Sequence, residues 1–225
     1  MRRTLFVSMA LVAAVNAPAV AQTCLGLASF SSGNMQVSGN GQFTEGVNRF
    51  GAGFTYGIPA GVFAGAQLST TSYDAADASS MGIGANVGYQ LNVGKAANIH
   101  VCPVASFELG MGPDDDATET DASSQNATLG FSLGTTMKGS PRMQIIPSVG
   151  LGLAYSKLKV EDANSSAELS DTYGQAQLGV GLVFNQSIAV RPSVSIPLGL
   201  EGSDPTFGLT VAYSFGSKAS PSRKR

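Results

Sequence analysis

The chain has 225 residues, of which 28 are glycine, none is tryptophan and only 12% are charged. Fifteen acidic against 13 basic residues give a formal net charge of −2, a balance that argues against nucleic acid as a partner. Length allows one domain, and beyond the first residues no apolar run reaches the roughly 20 residues that a membrane-spanning helix needs.

The N-terminus sets the compartment. Arg2 and Arg3 form a basic start, residues 5–15 form an apolar run of signal-peptide length, and Ala19-Val20-Ala21 fits the small-x-small cleavage rule. Residues 1–21 are therefore expected to be a signal peptide. The run is too short for an anchor, and Asn16 and Pro18 interrupt its end. Gln22 and Thr23 precede Cys24 where a lipoprotein signal wants small or aliphatic residues. Cleavage removes Arg2 and Arg3, leaving 15 acidic against 11 basic residues. Residues 22–34 then form an N-terminal segment ahead of the first strand.

From residue 35 the chain reads with period 2, so alternate side chains face opposite sides of a sheet. In residues 81–92, Met81, Ile83, Ala85, Val87, Tyr89 and Leu91 alternate with Gly82, Gly84, Asn86, Gly88, Gln90 and Asn92. Residues 127–137, 175–184 and 207–215 repeat the pattern. The expected strands are 35–44, 49–57, 61–73, 80–91, 98–110, 125–137, 143–159, 172–184, 187–200 and 206–215. A soluble sandwich also alternates. Here, however, the polar face carries Gly, Ser, Thr, Asn and Gln instead of Lys and Glu, and the segments are long enough to cross a bilayer when tilted. Lipid offers no partner for a strand edge, so such a sheet must close. The fold class expected is an all-β closed antiparallel transmembrane β-barrel of about ten strands over residues 35–215, or eight if the first two segments pair poorly. A basic tail, 216–225, follows.

Connections alternate in length, as short periplasmic turns and longer outer loops do. Residues 58–60, 138–142 and 185–186 are tight, whereas 74–79, 113–124 and 161–171 are long. Charge sorts with them. Asp74, Asp77, Asp114, Asp115, Asp116, Glu119, Asp121, Glu161, Asp162, Glu168, Asp171, Glu201 and Asp204 fall at the expected outer end. Lys95, Lys138, Arg142, Lys218, Arg223, Lys224 and Arg225 fall at the inner end, while Arg49, Lys157 and Lys159 are exceptions at the outer rim. An even strand count puts both termini in the periplasm.

Three upward strands open alike, with Pro103, Pro147 and Pro192 on the lipid-facing register. Proline removes a ladder donor, so each is expected to mark a local break or bulge.

Residues 191–194 (Arg-Pro-Ser-Val), 150–155 (Gly-Leu-Gly-Leu-Ala-Tyr) and the closing 211–215 (Val-Ala-Tyr-Ser-Phe) resemble the small outer-membrane barrels of the OmpA, OmpX and OmpW type. The resemblance spans residues 35–215. It implies that fold, an outer-membrane location, lipid around the wall and the barrel-assembly machinery as a biogenesis partner. It carries over no catalytic residue and no cofactor. Two features depart from the family's terminal assembly signal. Thr210 stands where glycine is usual, and ten residues follow Phe215.

The chain has a single histidine, His100, expected at the inner end, away from the acidic rim. A hydrolase of the histidine-base type needs that group beside a nucleophile, so no enzymatic activity is expected. Asp114, Asp115, Asp116, Glu119 and Asp121 form the densest acidic cluster. Carboxylates suit divalent cations, but the spacing is not that of an EF-hand loop, so no metal site is assigned and a solvated acidic loop is expected. Arg49, Glu108 and Arg191 fall on the inward register, where charges face a polar lumen and are often paired. Arg49 and Glu108 come at comparable heights and form a candidate ion pair. Cys24 and Cys102 share the inner end in an oxidising compartment, which makes them a candidate disulfide. That bond would draw the apolar residues Leu25, Leu27, Ala28 and Phe30 into the inner mouth as a partial plug.

Two functions stay open. Small lumen side chains favour a non-enzymatic pore for small solutes. The alternative is a structural or surface-interaction barrel with a closed lumen, its acidic loops meeting ions or partners.

Overall fold

The computed structural model describes residues 23–27, 33–74, 78–93, 99–112, 121–140, 142–161, 166–200 and 203–216. The N-terminal residues assigned to the signal peptide, and the tail from 217, lie outside the described residues.

The described residues form twelve strands: β1 (Met35–Thr44), β2 (Val47–Gly57), β3 (Val62–Tyr73), β4 (Ala78–Tyr89), β5 (Leu91–Val93), β6 (Ile99–Met111), β7 (Asp121–Thr135), β8 (Met137–Ser140), β9 (Met143–Glu161), β10 (Ser166–Phe184), β11 (Ile188–Leu198) and β12 (Thr206–Phe215). β5 continues β4 past a break at Gln90, and β8 continues β7 past Thr136, so the wall has ten staves. Each stave pairs antiparallel with its sequence neighbours, and β1 pairs with β12 from Met35↔Phe215 to Phe43↔Phe207. The sheet is a closed barrel.

The barrel is inverted relative to a soluble protein. Leu68, Met81, Leu129, Leu153 and Phe207 stand exposed on its outer face, while Asn40, Gln67, Asn126 and Gln177 turn inward around the polar lumen. At one end Tyr56, Tyr89, Tyr213 and Phe215 ring the outer surface. At the other end Phe43 and Phe50 meet edge to face at 5.7 Å, with Phe207 opposite Phe43. Aromatic residues at both rims of an apolar band are a feature of barrels in lipid.

The end that carries both chain ends of the wall, Met35 and Phe215, is called the terminal end here, and the opposite one the loop end. Terminal-end connections are tight. In the 185–187 turn, Asn185 and Gln186 both take positive φ (49° and 60°), the twist that a short hairpin requires. One loop-end connection is equally short: β1 turns into β2 through Glu45-Gly46, with Gly46 at φ 71°.

The prolines act as the sequence suggests. The β4–β6 ladder stops at Gly88↔Val104 and resumes with β5 at Leu91↔Val101, skipping Pro103. The β7–β9 ladder stops at Gly134↔Ser148 and resumes with β8 at Met137↔Ile145, skipping Pro147. The β10–β11 ladder skips Pro192, between Gly179↔Ser193 and Leu182↔Val190. Each proline breaks the ladder to the preceding strand and keeps the ladder to the following one: Pro103↔Phe131, Pro147↔Val180, Pro192↔Leu209.

Several boundaries differ from expectation. Asp121 was expected in a loop but begins β7, opposite Glu161. Residues 166–171 likewise belong to β10, and Glu161 ends β9. Their polar composition reads as loop, yet the long β9–β10 hairpin satisfies their backbone groups. It also pairs two of the exceptional lysines, Lys157 with Glu168 at 2.9 Å and Lys159 with Glu161 at 2.7 Å. Both pairs lie at the surface, the lysines half-buried and the glutamates exposed, and contribute little to stability. β2 starts at Val47 and β4 at Ala78, each two residues earlier than expected.

A closed sheet of this kind should keep its shape in detergent without heating. Unheated protein is expected to migrate faster on gels than boiled protein and to give a β-rich circular dichroism spectrum. Equal migration of both samples would contradict closure.

Candidate functional site: the lumen and its stopper

The lumen has two storeys that differ in chemistry. The storey at the terminal end is solvent-excluded around the whole wall. Every stave contributes a buried inward residue there: Gln36, Gly57, Phe63, Gln90, Cys102, Ser132, Ile146, Val183, Ala189 and Ala212. What fills the centre is the N-terminal segment. Residues Thr23–Leu25 form one turn of 3-10 helix, followed by Gly26 at φ 71°.

Five contacts hold this segment. Cys24 is disulfide-bonded to Cys102 on β6. Ser132 Oγ donates to the Cys24 carbonyl at 2.6 Å. Leu25 packs on the cluster of Cys24, Phe63 and Cys102, and Leu27 packs on Ile146, Val183, Ala189 and Ala212. Finally, the Gly26 carbonyl sits where a side chain at position 181 would be, so Gly181 on β10 must be glycine for the two backbones to approach. Ala28 and Phe30 lie outside the described residues. The bond closes a sequence separation of 78 residues. On a chain-entropy model that constraint stabilises the fold by about 4–5 kcal/mol.

Phe63 closes the storey from the wall itself. Its ring lies over Gly88, its directly paired neighbour on β4, in space that any Cβ at 88 would occupy. Beside it, His100 Nδ1 lies 2.6 Å from Asn92 Oδ1 and 3.0 Å from Gln90 Nε2. The lone histidine is thus tied into an amide cluster at the terminal end, beside the disulfide. On the far wall Gln36 Nε2 donates to Ser214 Oγ at 3.0 Å across the β1–β12 seam.

The storey at the loop end is a polar chamber of about 530 Å³, joined by a smaller one of about 230 Å³ toward the mouth. Arg49 on β2 and Glu108 on β6 face each other there as an ion pair that reaches across β3 and β4. Arg49 Nη2 also donates to Ser69 Oγ at 3.0 Å, and Gln67 Nε2 donates to Glu108 at 3.0 Å. Gly82 and Gly84 on the intervening β4 leave the room: a Cβ at 82 would lie 2.6 Å from Ser69 Oγ and 3.1 Å from Glu108 Oε1. Arg191, the third inward charge, forms the chamber floor and belongs to no ion pair among the described residues.

Asp114, Asp115, Asp116 and Glu119 lie outside the described residues. Asp121, at the base of that connection, is exposed at the start of β7. Among the described residues no three His, Cys, Asp or Glu side chains come together as a metal site.

The sequence pattern puts Cys102, Arg49, Glu108 and Arg191 on the inward register and makes Cys24, ahead of the first strand, a candidate partner of Cys102; in the structure all five lie inside the barrel. It does not single out Phe63, Gly88, Gly181, Ile146 or Val183. A signal for them exists: on the inward register, Gly, Ser and Gln give way to Phe63, Ile146, Val183, Ala189 and Ala212 at one end of five strands.

Apolar wall, polar lumen and closed sheet define a membrane-spanning β-barrel, here with an internal stopper. No protein-family model matches the chain, and no curated protein matches it in sequence. Several solved structures are similar to it at low identity. The N-terminal β-barrel domain of Pseudomonas aeruginosa OprF matches over 82% of this chain and 98% of its own, at 16% identity and a TM-score of 0.37. The attachment invasion locus protein Ail of Yersinia pestis matches over 82% and 99%, at 13% identity and a TM-score of 0.40. The translocator domain of the autotransporter NalP from Neisseria meningitidis matches over 81% and 87%, at 11% identity and a TM-score of 0.49.

Two measurements test the stopper. Thiol labelling of unreduced, denatured protein is expected to find no free cysteine, and labelling after reduction two. Gly88→Leu forces a side chain into the Phe63 ring, and overpacking of this kind costs about 1–3 kcal/mol. Its unfolding midpoint in urea should fall, and a midpoint equal to wild type would show that the ring does not fill that space.

Proposed function

We propose that this protein is a non-enzymatic outer-membrane β-barrel with both wall ends on the periplasmic side, its lumen shut there by its own N-terminal segment. The reading favours the closed-lumen alternative over the open pore. One observation carries it: the disulfide-pinned segment packs inside the wall, Leu25 on the Phe63 and Cys102 side and Leu27 on Ile146, Val183, Ala189 and Ala212, in a storey to which every stave contributes a buried residue.

Compartment and orientation rest on three supports. The N-terminal pattern is that of an exported chain. A disulfide between Cys24 and Cys102 suits an oxidising compartment. Carboxylates gather at the loop end, with Glu45, Asp74, Asp121, Glu161 and Asp204 among the described residues. In this reading lipid covers the apolar wall, and the barrel-assembly machinery receives the chain through β12. The loop end is the surface that meets ions or partners, divalent cations included.

Solute permeation is the second reading, favoured by the polar chamber. It requires the stopper to move. Planar-bilayer recording of the refolded protein separates the two. Oxidised wild type is expected to be silent. The Cys24→Ser, Cys102→Ser double variant holds the segment by packing alone and should show brief openings. Steady conductance steps from oxidised wild type would overturn the closed reading.

A further inference from the structure

The lumen holds three charges, and the pairing leaves one over. Glu108 is taken by Arg49, with Gln67 and Ser69 completing that network. Arg191 is 9% exposed. Its one hydrogen bond among the described residues is a long one, from Nη2 to Ser148 Oγ at 3.4 Å, and its Nε is buried with no partner. An ionised guanidinium withdrawn from water needs an opposite charge or a full set of acceptors. Arg191 has neither.

The chain cannot supply the missing charge from nearby. No Asp or Glu precedes Glu45, and none follows Asp204. The N-terminal segment that packs beneath Arg191 is therefore free of carboxylates. So is every connection at the terminal end, since 58–61, 94–98, 141–142 and 185–187 contain none. Apart from Glu108, every acidic residue belongs to loop-end connections or to strand residues adjoining them.

Arg191 is also fixed in place. Gly179 on β10 leaves the space for its guanidinium, 2.7 Å from Nη2 to a Cβ there, and Gly26 of the stopper backs Nε at 2.8 Å by the same measure. Above it the chamber is lined by neutral hydrogen-bonding groups, among them Gln175, Gln177, Ser193, Thr128 and Thr210, and by the Arg49–Glu108 pair, in which the carboxylate is already matched by its own cation. Gln42, higher on the inward register, is exposed, so the chamber is reached from the loop end. A held cation below and uncharged donors and acceptors around it are what a small, hydrophilic anion requires. The planar fork of arginine matches an oxyanion through two parallel hydrogen bonds. The volume, about 530 Å³, lies within the range of small-molecule sites.

We propose that Arg191 and the polar chamber above it form a binding site for a small hydrophilic solute carrying an oxyanion group, which enters from the loop end and completes the charge of the buried guanidinium. The loop-end carboxylates slow the approach of such a solute, but charges more than about 8 Å away are largely screened at physiological ionic strength. The site does not depend on whether the lumen conducts. Binding in detergent and conductance in a bilayer fail separately.

The test is calorimetric titration of the oxidised, refolded full chain with sodium glucuronate, inorganic phosphate and, as the uncharged control, glucose. Saturable binding of glucuronate or phosphate is expected, with none of glucose. Binding of glucuronate alone identifies an organic acid as the ligand class, and binding of phosphate alone an inorganic oxyanion. Arg191→Gln should weaken the binding on the order of tenfold or more, the loss of a charge-assisted bidentate contact. Ser193→Glu, two residues along the same face, supplies the absent carboxylate from within and should abolish binding while the barrel keeps its heat-modifiable migration. That second variant decides the matter if Arg191→Gln does not fold. Absence of saturable anion binding by wild type, equal binding of glucose, or wild-type affinity in Ser193→Glu would each overturn the proposal.

Discussion

The pairing of β1 with β12 is the contact on which everything else rests. A strand in hydrocarbon has no water to satisfy its backbone, so an open edge costs several kcal/mol for each unpaired group. The nine residue pairs from Met35↔Phe215 to Phe43↔Phe207 remove the last edge. Once the wall is closed, alternation sorts side chains into lipid and lumen. The lumen becomes a confined space whose contents decide what the protein can do.

Those contents are arranged by small residues as much as by large ones. Gly88 makes room for Phe63, Gly181 for the Gly26 carbonyl, Gly179 for Arg191, and Gly82 for the Arg49–Glu108 pair. The glycine content of this chain, unusual for a soluble domain, is here a set of sockets, each shaped by the group that fills it. Glycine weakens a strand in isolation, and the closed ladder compensates by leaving the backbone no alternative pairing.

The fold was legible in the sequence because period 2 is a property of the backbone, visible without knowing any partner. Residues 81–92 show it in full, and the ladder follows it on both sides. The strand ends were less legible where pairing overrides composition. Residues 166–171 are polar and acidic, yet they extend β10 because β9 stands opposite and offers Lys157 and Lys159. Within the lumen, charges were legible because an inward Arg or Glu is rare. The stopper's sockets were not, because a glycine on the inward register looks the same whether it faces water, a ring or a backbone. Only the switch to Phe63, Ile146 and Val183 on that register distinguishes the filled storey from the empty one.

The place of Cys24 has a consequence for how the molecule is put together. The segment around it lies inside a wall that has no gap, and chains rarely thread through finished loops. Either it is enclosed as the seam between the first and last strands zips shut around it, or it slides in through the end of a completed cylinder. In the first case the bond to Cys102 can form while only the early staves stand, and it then acts as a mandrel on which the later ones are wound. In the second case oxidation comes last and acts as a latch. The same covalent link is a starting point for construction in one sequence of events and its final step in the other.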